Sequence, residues 1–199
     1  MDKIIYEKFP LSANKGGYTG NINAQLMHSL SKSGESVTPK EFEDMLTEHQ
    51  LFINSGGSGG SWQTLVASGL VFGIYMGANA KKGTQINLLN KNLTQLNLGK
   101  VEMPYGNFAN VYFPYGNFAE SNLKGSLFTD SVLDGVDFSF ADLSYCDFSR
   151  AVMKNCNFTN ANLSGIDMEN CDLTGSNFTN AIIDKYSKFP GAILNAIVF

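Results

Sequence analysis

With 199 residues, 43% of them hydrophobic, the chain can bury the core of one large or two small domains. Its net charge of −4 predicts solubility and argues against direct contact with nucleic acid. No stretch is long and apolar enough to span a bilayer, and the opening "MDKIIYEKFPLSANKGG" lacks the apolar core and cleavage site of a signal peptide, so a cytoplasmic protein without membrane contact is expected.

Residues 1–82 read as a small α+β region. A short helix is predicted over 22–33, carrying Ile22, Leu26, Met27 and Leu30, with Gly34 ending it. The next is better signalled: Thr38 as N-cap, Pro39 in the first turn, Glu41 completing a capping box, and Gly56 or Gly57 as the stop. Phe42, Met45, Leu46, His49, Phe52 and Ile53 form its apolar face. Its outward face carries Lys40, Glu43, Asp44, Thr47 and Glu48, which would repel phosphate, so a DNA-reading pair of helices is excluded. His49 is expected to be a packed residue rather than a base.

The stretch "NSGGSGGSW" satisfies G-x-S-x-G, but it follows a helix and precedes a strand, the reverse of a hydrolase elbow, and no histidine follows the serine. It also lacks the Lys-Ser/Thr of a phosphate loop. Two readings stay open: an anion-binding backbone nest made by Gly56, Gly57, Gly59 and Gly60, or a plain helix-to-strand connection. Two strands then follow, "WQTLVAS" and "LVFGIYMG". Trp62, the sole tryptophan, either anchors a partner or packs within this region.

From Leu88 to Ile183 every fifth residue is apolar, 20 positions without a polar interruption. Neither a helix nor a strand has that period. Two places before each is mostly a small residue, as in Ser121, Ala141, Cys156 and Ala161, and between the two there is often an Asn or Asp, as in Asn107, Asp147 and Asn177. Units such as "CDFSR", "CNFTN", "ANLSG", "CDLTG" and "SNFTN" resemble the pentapeptide-repeat family over about residues 86–183. What the resemblance implies is a mainly β fold, a right-handed quadrilateral β-helix of about five coils over residues 83–199, with residues 1–82 as its N-terminal cap. A unit this short cannot bury its own apolar residue, so stacking must supply the core.

On that fold, residues 20 apart lie one above another, giving a ladder of Phe118, Phe138, Phe158 and Phe178 and a second of Met103, Leu123, Leu143, Leu163 and Ile183. Cys146, Cys156 and Cys171 fall at small inward positions and read as packing, and neither a metal site nor a cofactor is expected. The doubled "PYGNFA" puts Tyr105 and Tyr115 outward, with Gly106 and Gly116 inward and leaving room for something inserted. Near the C-terminus Lys188 interrupts the apolar series, which Ile193 and Val198 resume. The apolar finish "AILNAIVF" either packs on the last coil or forms a homodimer contact.

No residue set for catalysis emerges, and function falls to the outward surface, with Trp62, Tyr105, Tyr115, Asp147 and Asp167 as candidate contacts. The foremost reading is a non-enzymatic interaction or scaffold module with an unknown protein partner. The alternative comes from the resemblance, since some family members act on DNA gyrase as acidic, DNA-mimicking dimeric rods. Residues 101–199 carry a net charge of −6, whereas B-DNA of the expected length, about 24 Å, would present roughly 14 negative charges.

Overall fold

The computed structural model describes residues 34–57, 61–67, 70–76 and 82–199. The helix expected over 22–33, and Gly59 and Gly60, lie outside them.

Helix α1 spans Pro39–Asn54. Thr38 caps it: its Oγ1 accepts from the Glu41 N–H at 3.3 Å, and the Thr38 N–H donates to Glu41 Oε2 at 2.8 Å. That second bond holds the Glu41 carboxyl below its usual range. Strands β1 (Ser61–Ala67) and β2 (Leu70–Met76) pair antiparallel, from Ser61 opposite Met76 to Ala67 opposite Leu70.

From residue 87 onward the backbone pairs in parallel with itself twenty residues on: Asn107 with Leu127, Leu127 with Asp147, Asp147 with Asp167. Each side contributes one bridged residue rather than a strand, because a turn follows two residues later. The bonds are regular. The Leu123 N–H donates to the Asp142 carbonyl at 2.9 Å, and the Asp142 N–H donates back to Ser121 at 2.9 Å.

The interior is as the five-residue period predicts. Leu88, Leu93, Leu98 and Met103 through Phe178 are buried, as are most of the small residues two places before them. Phe118, Phe138 and Phe158 stack with centroids 5.4 and 5.2 Å apart, and Phe158 on Phe178 at 4.9 Å. A second ladder joins Phe108, Phe128 and Phe148 at 4.6 Å per step, its rings edge-on to the first. The small residues also bind. Ser131 Oγ donates to the Phe108 carbonyl at 2.8 Å, and Cys156 Sγ to Leu133 at 3.0 Å, each reaching 23 residues back. Burial pushes all three thiols well above their usual pKa, which makes them inert packing.

Two expectations are corrected. Gly106 and Gly116 leave no room: a Cβ at Gly106 would lie 2.4 Å from the Phe108 ring, and one at Gly116 would lie 2.2 Å from Phe113. At the C-terminus the series is not interrupted by Lys188 but displaced by one inserted residue. Asp184 Oδ1 gathers the N–H groups of Gly165, Tyr186 and Ser187, and beyond it the pairing runs 21 residues, Asp167 to Lys188 and Asp172 to Ile193. Phe189 and Leu194 therefore turn inward and Phe199 lies tilted beneath Phe178 at 6.0 Å, while Ile193 and Val198 face out.

Helix α1 covers the other end. Glu35–Val37 pairs beside Asn92, the Asn92 N–H donating to Glu35 at 3.0 Å and the Val37 N–H to Asn92 at 3.2 Å. Val37 and Phe42 then join the core of Ile86, Leu88 and Leu93. His49 is fully buried, its Nδ1 accepting from the Ile86 N–H at 3.1 Å and its ring 5.6 Å from Phe52. Burial lowers its pKa to about 4, partly offset by the Pro104 carbonyl, which lies near without giving Nε2 an ordinary hydrogen bond. The histidine is packed and neutral, as its place on the apolar face predicted.

Candidate functional site

Every five-residue side ends in a turn, and its last residue adopts left-handed backbone, φ between 53° and 75° at almost every corner from Asn90 to Ala196. Asn, Asp and Gly tolerate this conformation best, and they fill most corners, among them Asn110, Gly125, Asp130, Asn155 and Gly175. Tyr105, Tyr115, Phe140 and Tyr145 hold it with aromatic side chains. Tyr115 is 84% exposed and Tyr145 61%, whereas Tyr105 is half-buried. Tyr105 and Tyr115 stand on different corners of the same rung, so the structure does not bring these two candidates together.

Asp147 and Asp167 do meet, as bridged neighbours in successive rungs. Their carboxylates have work in the fold, since Asp147 Oδ1 accepts from the Ser149 N–H at 2.8 Å and Asp167 Oδ1 from Glu169 at 3.0 Å. The same two-residue loop recurs at Asp137, Asn157, Asp172 and Asn177, so the Asn/Asp column is turn chemistry first. Acid is also paired along the rod: Arg150 grips Asp130 with two bonds of 2.8 and 2.7 Å, Lys154 lies 3.2 Å from Asp172, and Lys188 lies 3.3 Å from Asp167.

The glycine loop starts as a helix stop. The Gly57 N–H donates to Phe52 at 2.9 Å and the Gly56 N–H to Ile53 at 3.0 Å, with Gly56 at φ 91°, a Schellman closure. Both amides are thereby committed, which removes them from an anion nest. Trp62 stands in β1 opposite Tyr75. An open hollow beside the start of α1 is lined by Glu35, Glu41, Asp44 and Lys91, but Lys91 pairs with Glu35, Glu41 with the N-cap, and Asp44 with Lys40. Among the described residues no His, Cys, Asp or Glu cluster is arranged to hold a metal ion, and no helix is long and apolar enough to cross a membrane.

The corner conformation was the missed signal. Asn and Gly recurring at every fifth position mark it, and the tyrosines stand out against that background.

The family described as pentapeptide repeats matches residues 131–170 and 151–185. None of the curated proteins matches the chain. Among solved structures, a pentapeptide repeat protein from the thylakoid lumen of Arabidopsis thaliana aligns at 23% identity and a TM-score of 0.40, over 48% of this chain and 62% of that one, so the chain spans less than two thirds of its length. HetL, involved in heterocyst differentiation regulation in the cyanobacterium Nostoc, aligns at 18% and 0.34 over 58% and 68%. QnrB1, a plasmid-mediated fluoroquinolone resistance protein, aligns at 14% and 0.34 over 56% and 69%. None of these likenesses bears on function. The match falls on residues 131–185, whose units pair twenty residues apart, so this stretch of the chain is built of pentapeptide repeats wound as a β-helix.

Proposed function

We propose that the protein is a non-enzymatic protein-interaction or scaffold module: about five coils of a quadrilateral β-helix over residues 83–199, capped by residues 1–82, working in a cytoplasmic setting. The observation that carries this is the display of exposed aromatic side chains at strained corners, where Asn or Gly would serve the fold better. Aromatic rings held rigidly in water are the side chains that dominate protein contacts. The filled interior supports the reading, because it leaves only the outward surface for recognition.

The last rung is the support for self-association. Its outward positions hold Ile182, Ile193 (47% exposed) and Val198 (52%) where earlier rungs hold Asn162, Asp172 and Asn177, and we assign this end to contact with a second copy. The DNA-mimicking alternative gains no such support. Asp130, Asp167 and Asp172 are each paired with a cation, and the Asp147–Asp167 column ends on Lys188.

The test is capture from source-cell lysate on tagged, folded protein and on the same protein heat-unfolded, with mass spectrometry of what survives a salt wash. One discrete protein retained only by the folded chain supports the module. Retention of a topoisomerase subunit eluted by moderate salt would favour the acidic mimic instead.

A further inference from the structure

One corner of the solenoid differs from the other three. In successive rungs it carries Tyr105, Gly125, Tyr145 and Gly165, and the pairing of Asp167 with Lys188 puts Tyr186 next in line. A tyrosine thus recurs at every second rung. The first two rings each lie across the glycine that follows: a Cβ at Gly125 would come within 2.8 Å of the Tyr105 ring, and one at Gly165 within 2.7 Å of Tyr145. These two rings are laid down along the edge rather than pointed away from it, and Tyr145 and Tyr186 are both 61% exposed.

A cation accompanies the rings. Lys124 Nζ sits 5.8 Å from the centre of Tyr145, and Lys185 Nζ sits 4.9 Å from that of Tyr186. Neither lysine takes part in an ion pair among the described residues.

We propose that this edge binds an extended, proline-rich peptide in the polyproline II conformation, with acidic residues between its prolines. Two rungs of stacked backbone measure about 9.6 Å. One turn of polyproline II, three residues at 3.1 Å, measures about 9.3 Å. Successive tyrosines therefore meet every third residue of such a peptide, in register over the three rings. Proline packs on aromatic surfaces in this way and brings little ordering cost, because its conformation is preformed. The lysines beside the rings supply the charge that selects acid over a neutral chain. The turn at Tyr145 does not call for a tyrosine, since its φ of 60° is one where Asn is the commoner occupant.

This inference rests on the interaction-module reading and names the chemistry of its partner. It is tested by fluorescence anisotropy on the full chain, with a short labelled peptide that has proline at every third position and glutamate between. Saturable binding is expected. Tyr145→Asn and Tyr186→Asn should each weaken it about tenfold, a loss typical of a central aromatic contact. Asn160→Gly, on another corner, should leave it unchanged, and a peptide with proline at every fourth position should bind more weakly. Absence of saturable binding, equal binding by the Tyr145→Asn variant, or tighter binding of a neutral β-linked oligosaccharide would overturn the proposal. A lysate partner that remains bound to the Tyr145→Asn, Tyr186→Asn protein would overturn this edge while leaving the interaction module standing.

Discussion

The rings of Phe138 and Phe158, twenty residues apart in sequence, lie 5.2 Å apart and within 3° of parallel. They are middle members of a ladder that runs from Phe118 to Phe199, edge-on to a second made by Phe108, Phe128 and Phe148. Each ring is held by the rungs above and below, so no single unit owns its own core.

Truncation at Phe138 therefore opens a cavity that the rigid backbone cannot close. Phe138→Ala is expected to cost about 3–5 kcal/mol in denaturant unfolding. A loss below about 1 kcal/mol would contradict its place in the ladder.

His49 gives the cap a pH dependence. Its pKa is about 4 in the folded chain against 6.5 for an ordinary histidine, so the unfolded chain takes up the proton first. Its contribution is complete above pH 6.5, declines as pH falls toward 4, and levels off below, a loss of about 3 kcal/mol in all. Protonation would place a hydrogen on Nδ1, where the Ile86 N–H already donates. Unfolding measured at pH 7.5 and pH 4.5 should show a fall that His49→Asn removes; the same fall in both proteins would rule out this residue as the source.

Tyr145→Asn should leave stability unchanged or raise it by up to about 1 kcal/mol, because Asn accepts φ near 60° more readily than Tyr. Thermal melts read this directly. A clear loss of stability would mean that the ring packs for the sake of the fold.

The C-terminal rung predicts a dimer. Sedimentation should show concentration-dependent association, and Ile193→Asp, which adds charge at an outward position, should leave a monomer of unchanged fold by circular dichroism. A wild-type monomer at all concentrations would remove the assignment.

The solenoid was legible because its period is rigid: the apolar fifth residues from Leu88 to Phe178 all face inward. The last rung was not, for a physical reason. Beyond Asp184 two apolar series coexist, Ile193 and Val198 in one, Phe189, Leu194 and Phe199 in the other, and both suit a five-residue step. Only the Asp184 turn and the bonds to the rung above decide between them. In the same way Asp147 and Asp167 read as displayed acid, whereas their turn bonds appear only once the backbone is folded. Capping of α1 was legible because Thr38, Pro39 and Glu41 act within one turn, without help from the rest of the chain.

The most direct measurement is capture from source-cell lysate by the wild-type chain and by the Tyr145→Asn, Tyr186→Asn protein, side by side after the same salt wash. A discrete protein held by the first and lost by the second is the predicted result. The same proteins on both, or none on either, would contradict the view that the aromatic edge of this β-helix is its working surface.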